Sequence, residues 1–216
     1  MKRQFHTTRL KLGPVYPITD SPIKTGQSHV QQACAFLEAG VRFFQVRDKE
    51  TDDRDLLNQL LSIKALCERH GADFLVNDRL DLALASGASG VHLGQTDFPV
   101  PIARKILGRK AVIGLSTHTE DQVEQSITMD IDYLAVGPVF TTETKESIYS
   151  PLGMDSLKRF RNMAKDLPLV AIGGITADNI KEVWKNGADS AALISEVSNA
   201  PDSKQKLKEL IGMYVR

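Results

Sequence analysis

The chain has few cysteines, no excess charge of either sign and no long apolar run, and each lack removes a class of protein. Two cysteines in 216 residues, Cys34 and Cys67, cannot supply a disulfide framework or a zinc cluster. Both fall in stretches of helical spacing, where a free thiol packs as a small hydrophobe. Lysine plus arginine equal aspartate plus glutamate at 27 each, so no global field draws the protein to nucleic acid or to an acidic membrane. Any anion has to be bound by local placement of charge. No apolar stretch approaches the length of a membrane span. Residues 1–13 are basic and polar and carry no secretory apolar region. The expectation is a cytoplasmic enzyme with small-molecule substrates, no nucleic-acid or membrane partner, and room for a homo-oligomer.

What is present is an alternation. Short β-branched or apolar runs at 15–19, 43–46, 74–77, 90–93, 111–115, 133–137, 169–173 and 190–194 read as eight strands. Helical spacing fills the intervals at 28–39, 52–70, 82–86, 101–107, 120–128, 155–164 and 177–186, with a last helix at 203–214. In the second of these, Leu56, Leu60, Ile63 and Leu66 share a face, and Asp53 and Asp55 suit the positive end of the helix dipole. Several helices run into a glycine: Gly40, Gly71, Gly87, Gly108 and Gly187. Strict alternation implies a parallel sheet, and eight units imply closure, because a closed sheet has no edge to protect. The fold expected is α/β, a single-domain (β/α)8 TIM barrel over 14–216, with 1–13 an N-terminal extension that the pattern does not require to be ordered. An open doubly wound sheet is the second choice.

In such a barrel, functional groups gather at the C-terminal ends of the strands. After the second strand, Gln45, Arg47 and Lys49 recur with period two and share one face of an extended chain. A guanidinium and an ammonium converging there make an anion site, against the plainer reading of a solvated charged turn. Asn77 and Asp78 follow the third strand and Asp97 follows the fourth. Two carboxylates on neighbouring strand ends suit Mg2+, which takes one or two carboxylates together with substrate phosphate oxygens. The plainer readings are a helix N-cap for Asp78 and a turn before Pro99 for Asp97. Ser116 follows the fifth strand with no carboxylate placed to activate it, so it reads as an anion contact rather than a nucleophile.

A loop of about fifteen residues after the sixth strand exceeds the usual two to six. It carries Thr142, Thr144 and Lys145. Gly173-Gly174 after the seventh strand and Ser195 after the eighth stand where barrels often hold phosphate. These features divide into two sets. Arg47, Lys49, Asp78, Asp97, Ser116 and Lys145 suit a metal-bound diphosphate; Thr142, Thr144, Gly174 and Ser195 suit a monophosphate. His92 and His118 read as structural histidines, and His6, His29 and His70 as surface residues.

Seven motifs now stand in order. They are Tyr16-Pro17-Ile18-Thr19-Asp20, Gln45-Val46-Arg47-Asp48-Lys49, Asn77-Asp78-Arg79, Val91-His92-Leu93-Gly94-Gln95-Thr96-Asp97, Gly114-Leu115-Ser116-Thr117-His118, Val136-Gly137-Pro138-Val139-Phe140 with Thr144-Lys145, and Ala171-Ile172-Gly173-Gly174-Ile175. Together they resemble the successive signatures of thiamine phosphate synthases, from residue 15 to 195. The resemblance implies a transferase that joins an aminopyrimidine methyl diphosphate to a thiazole phosphate with loss of diphosphate. It implies that Gln45, Arg47, Lys49, Asn77, Ser116 and Lys145 bind the pyrimidine diphosphate. Arg47, Lys49, Ser116 and Lys145 would assist the departure of the diphosphate. Asp78 and Asp97 would ligate magnesium, and Thr142, Thr144, Gly174, Ile194 and Ser195 would hold the thiazole phosphate. The thiazole tautomerase branch shares the barrel and the thiazole phosphate pocket but lacks the full diphosphate and metal set. Another phosphate-binding barrel enzyme, or a barrel used as a binding module, stays open. Glu146 and Glu196 depart from the family pattern by placing negative charge beside phosphate loops.

Overall fold

The eight apolar runs are buried along nearly their whole length, as a parallel sheet covered on both sides requires. The computed structural model describes residues 10, 12–142 and 149–214. In chain order its elements are β1 (Val15–Pro17), α1 (Pro22–Thr25), α2 (His29–Glu38), β2 (Phe43–Val46), α3 (Asp53–His70), β3 (Asp73–Asn77), α4 (Leu80–Ser86), β4 (Gly90–Leu93) and α5 (Val100–Leu107). Then follow β5 (Val112–Thr117), α6 (Glu120–Ser126), β6 (Tyr133–Val136), α7 (Gly153–Ala164), β7 (Leu169–Ile172), α8 (Ile180–Lys185), β8 (Ser190–Leu193), α9 (Ser195–Ser198) and α10 (Ser203–Gly212). All eight expected strands form, and all pair in parallel in the order β1-β8-β7-β6-β5-β4-β3-β2.

The remaining seam, between β1 and β2, closes by a single parallel bridge of Ile18 with Gln45. There Thr19 N donates to Gln45 O at 2.9 Å, while Ile18 N donates to Leu193 O at 2.9 Å on the other side. Closure excludes the open sheet. The period of two then sorts side chains into two cores. Tyr16, Phe43, Leu75, Val112, Tyr133 and Val170 fill the barrel. Their neighbours in sequence, among them Phe44, Phe74 and Leu134, face the helices and pack with Leu60, Ile63 and Phe160. Leu10 and Leu12 pack against the inner cluster, and Pro14 O accepts a hydrogen bond from Trp184 Nε1 at 2.9 Å.

Helix starts follow local chemistry. Ser28 caps α2 in a capping box with Gln31, Thr119 caps α6 and Asp202 caps α10. Two short helices were not expected, α1 and α9; four residues carry too little pattern to be read from spacing. α8 begins later than the expected 177, because Asn179 Oδ1 accepts from Thr176 N at 2.8 Å and holds 176–179 as a turn. Both cysteines are free, Cys67 buried and Cys34 half-buried. Among the described residues no helix is long and apolar enough to cross a membrane.

Candidate active site

The strand ends divide the barrel mouth into two arcs. Gln45, Arg47, Lys49, Asn77, Asp78, Asp97 and Ser116 stand on or past β2 to β5, four consecutive strands. Thr142, Gly174, Ile194 and Ser195 stand past β6, β7 and β8, three consecutive strands. Thr144, Lys145 and Glu146 lie outside the described residues, as does His6.

In the first arc the charges meet. Lys49 Nζ lies 3.4 Å from Asp78 Oδ2. The carboxyl groups of Asp78 and Asp97 are within hydrogen-bonding reach of each other, and Asp97 Oδ2 also accepts from Gly94 N at 2.7 Å. Burial and then the neighbouring Asp78 raise the Asp97 carboxyl above the usual carboxylate range, against the pull of the Gly94 N–H and of Lys49. Asp97 is thus a turn residue and half of a carboxylate pair. Asp78 does not cap α4, whose cap position is Arg79. Its backbone is left-handed at φ 61°, a conformation that costs a non-glycine residue energy and clusters at functional sites. Two like charges brought together, with one ammonium against them, fit a divalent cation. Among the described residues no group of three or more histidine, cysteine or acidic side chains could hold a metal, so further ligands would have to come from substrate oxygens and water.

The loop that carries Arg47 and Lys49 is fixed from beneath. Arg47 N donates to the buried Thr19 Oγ1 at 3.1 Å. Asp48 Oδ1 accepts from Glu50 N and Thr51 N, both at 2.7 Å, and Oδ2 from Thr51 Oγ1 at 2.7 Å. Asp48 Oδ2 also lies 2.6 Å from His29 Nε2, and both side chains are fully buried. His29, expected as a surface residue, is therefore a buried partner of the loop that carries Arg47 and Lys49. It is the first residue of α2, where the helix packs on the loop after β2, and a histidine at the head of an amphipathic helix does not show from sequence which way it turns. Burial alone would raise the Asp48 carboxyl, but the bonds from Thr51, His29 and Glu50 bring it down to about 2. His70 is exposed, as expected.

Below the mouth a line of polar groups crosses the barrel interior. Gln45 Nε2 donates to Tyr16 Oη at 3.0 Å. Tyr16 Oη and Tyr133 Oη are 2.9 Å apart. His92 Nδ1 is 2.7 Å from Tyr133 Oη, and His92 Nε2 is 2.8 Å from Ser116 Oγ. Gly114 makes this crossing fit: a Cβ there would stand 2.3 Å from Tyr133 Oη. His92 is structural in the expected sense, buried and bonded through both ring nitrogens, yet it touches a candidate site residue directly. Sequence reading missed Tyr133 and Thr19 as site supports. The inward register of Tyr133 was the available signal, but an isolated Tyr at the head of a strand reads as core, and Thr19, past the end of β1 and with the outward parity of Val15, gave none.

The second arc is built by close backbone approach. Val139 N donates to Ile172 O at 2.9 Å and Phe140 N to Gly173 O at 3.0 Å, which lays the β6–α7 loop on the β7–α8 loop. Gly174 is needed for this contact: its φ is +64° and a Cβ would meet Thr141 O at 2.3 Å. The long loop is pinned at its base by Leu152 N donating to Pro138 O at 2.8 Å. Beyond the undescribed stretch Tyr149 stacks on His118, with ring centroids 4.2 Å apart. Glu196 accepts from Ala177 N at 3.2 Å and has Lys206 Nζ at 3.7 Å, so its charge has local partners.

Comparison with known proteins shows the family. The family model described as thiamine monophosphate synthase matches residues 15–197. A thiamine-phosphate synthase of Pelotomaculum thermopropionicum is 40% identical over 202 residues, covering 94% of this chain and 92% of that protein. One from Caldicellulosiruptor saccharolyticus is 38% identical over 196 residues, covering 91% and 88%. The solved thiamine phosphate pyrophosphorylase of Pyrococcus furiosus superposes with a TM-score of 0.81 at 33% identity, covering 91% of this chain and 92% of that one. An eight-stranded barrel with these residues at its mouth, matched over nearly its whole length, belongs to the thiamine monophosphate synthase family.

Proposed function

We propose that the chain joins an aminopyrimidine methyl diphosphate to a thiazole phosphate, in plain or carboxylated form, and releases diphosphate, together with carbon dioxide when the thiazole is carboxylated. In the step read here, the bond from the methylene carbon to the diphosphate oxygen breaks and its electron pair leaves with the diphosphate. The lone pair of the thiazole nitrogen then forms the carbon–nitrogen bond to the pyrimidine cation. No proton has to be removed from the nucleophile, which suits a site with no activated base. The observation that carries the reading is the Lys49–Asp78–Asp97 cluster, which a tautomerase would not need.

Asp78 and Asp97 would hold magnesium. When bound, the metal neutralises charge developing on the departing diphosphate. Arg47, Lys49 and Ser116 bind the same group as preorganised donors, and Gln45 and Asn77 orient the pyrimidine. Lys145 is assigned to the diphosphate, and Thr142, Thr144, Gly174, Ile194 and Ser195 to the thiazole phosphate. We place the enzyme in the cytoplasm, where two unpaired thiols are the ordinary state.

The test is single-turnover formation of thiamine phosphate and diphosphate, with magnesium and with EDTA, by wild type and Lys49→Ala. Wild type should need the metal. The variant should bind both substrates and turn over about a hundredfold more slowly, the usual effect of losing one charge donor from such a site. Isomerisation of the thiazole carboxylate phosphate without either product would sink the synthase reading and leave the tautomerase.

A further inference from the structure

The polar line inside the barrel joins two groups at the mouth, Gln45 on β2 and Ser116 on β5, through three residues that touch no substrate in the reading above. We propose that Tyr16, Tyr133 and His92 are positioning residues: they form a one-way hydrogen-bond chain that fixes Gln45 as an acceptor and Ser116 as a donor toward the pyrimidine diphosphate. The inference rests on the synthase reading for the identity of the ligand, and on the hydrogen-bond inventory for the direction.

The direction follows from counting protons. Gln45 Nε2 can only donate, so Tyr16 Oη accepts from it at 3.0 Å. A phenol has one proton, and that of Tyr16 is then left for Tyr133 Oη at 2.9 Å. Burial, the main cause, holds both phenols protonated by raising them far above their ordinary range. Having accepted from Tyr16, Tyr133 donates its own proton to His92 Nδ1 at 2.7 Å. A neutral imidazole that accepts at Nδ1 carries its proton on Nε2. His92 Nε2 therefore donates to Ser116 Oγ at 2.8 Å, and the hydroxyl proton of Ser116 is left for the mouth. At the other end Gln45 has turned its amide nitrogen inward with one of its two N–H groups on Tyr16, so the acceptor it presents is Oε1. A hydroxyl donor suits a diphosphate oxygen, and a carbonyl acceptor suits the amino group of an aminopyrimidine. Run the other way, the chain would use up the Ser116 proton on His92 and turn the wrong atom of Gln45 to the ligand.

The barrel is built around this line. Gly114 leaves the space that the Tyr133 hydroxyl occupies. The His92 ring is stacked on Tyr133 at 5.6 Å between centroids, 24° from parallel, so it cannot turn without losing that contact. Gln95 Nε2 donates to Ser116 O at 2.7 Å and holds the serine backbone in place.

Nitrogen NMR on protein labelled with 15N-histidine reads the chain directly, with His92→Gln identifying the resonances. At a pH above the ordinary imidazole range, His92 of the ligand-free wild type should show a proton-bearing Nε2 and a bare Nδ1. Tyr133→Phe removes one oxygen and should mix or reverse the tautomer. It should also lower kcat about tenfold, the weight of one hydrogen bond, with KM for thiazole phosphate unchanged. Tyr16→Phe leaves Tyr133 able to donate and should keep the wild-type tautomer. A proton on Nδ1 in the wild type, or a Tyr133→Phe spectrum identical to it, would overturn the proposal. The NMR result stands whether or not thiamine phosphate is the product, so failure of the chain and failure of the synthase reading are separable.

Discussion

At the scale of single residues, the most consequential group outside the charged cluster is Asp48. Its carboxylate is buried, receives three bonds from the loop it belongs to, and meets His29 at 2.6 Å. Its folded value of about 2 lies below the ordinary aspartate value of roughly 3.9. A depressed carboxyl contributes stability that is present above the unfolded value and lost as pH falls through the folded one. Asp48 should therefore contribute on the order of 2 kcal/mol at neutral pH, fading between about pH 4 and pH 2. In Asp48→Asn, denaturant unfolding across that window should show a lower plateau and a flatter acid limb. Equal limbs in the two proteins would mean the pair contributes nothing to folding. The same variant should raise KM for the pyrimidine diphosphate, because Arg47 and Lys49 flank Asp48 on the loop it fixes.

At the scale of elements, strands were legible and what joins them was not. A run such as 169–172 announces a buried strand because both faces are apolar, and a covering helix such as 53–70 announces itself by its stripe of Leu56, Leu60 and Ile63. Neither signal depends on distant residues. Gly114 shows the opposite case. In sequence it is a weak spot in a strand; in the barrel it admits the hydroxyl of Tyr133, on the neighbouring strand β6, at a distance no Cβ permits. Gly114→Ala should cost about 1–3 kcal/mol as an overpacked core and displace the Tyr133 side chain. Chemical denaturation together with a crystal structure of the variant would check both; unchanged stability with the ring in place would show that the strand simply shifts. Gly174 is another such contact, since it seats the β6–α7 loop. A valine there would move that loop before it could report on any phosphate.

At the scale of the whole molecule, eight consecutive units deliver polar groups from distant parts of the chain to one rim, which is why the candidate site was legible as an ordered series of strand ends. The sequence order placed Asp78 and Asp97 on neighbouring strands; it could not say that their carboxyls would approach each other, or that Lys49 would settle on Asp78 at 3.4 Å. That arrangement has a cost in the free protein, because two like charges are held close with a single ammonium to offset them. Asp97→Asn removes one charge and, with its amide as donor, turns a repulsive pair into a hydrogen-bonded one. The variant should therefore melt at or above the wild-type temperature when no metal is present. Magnesium with inorganic diphosphate should reverse the ranking. A ligand at a hundred times its dissociation constant stabilises by about 2.7 kcal/mol, which for a domain of this size is roughly 5–10 °C in Tm. Wild type should gain that shift, and Asp97→Asn should gain little of it. Thermal melts with metal alone, diphosphate alone and both together separate the contributions. A shift with diphosphate alone, equal in both proteins, would assign the anion to Arg47 and Lys49 and remove the carboxylates from metal binding.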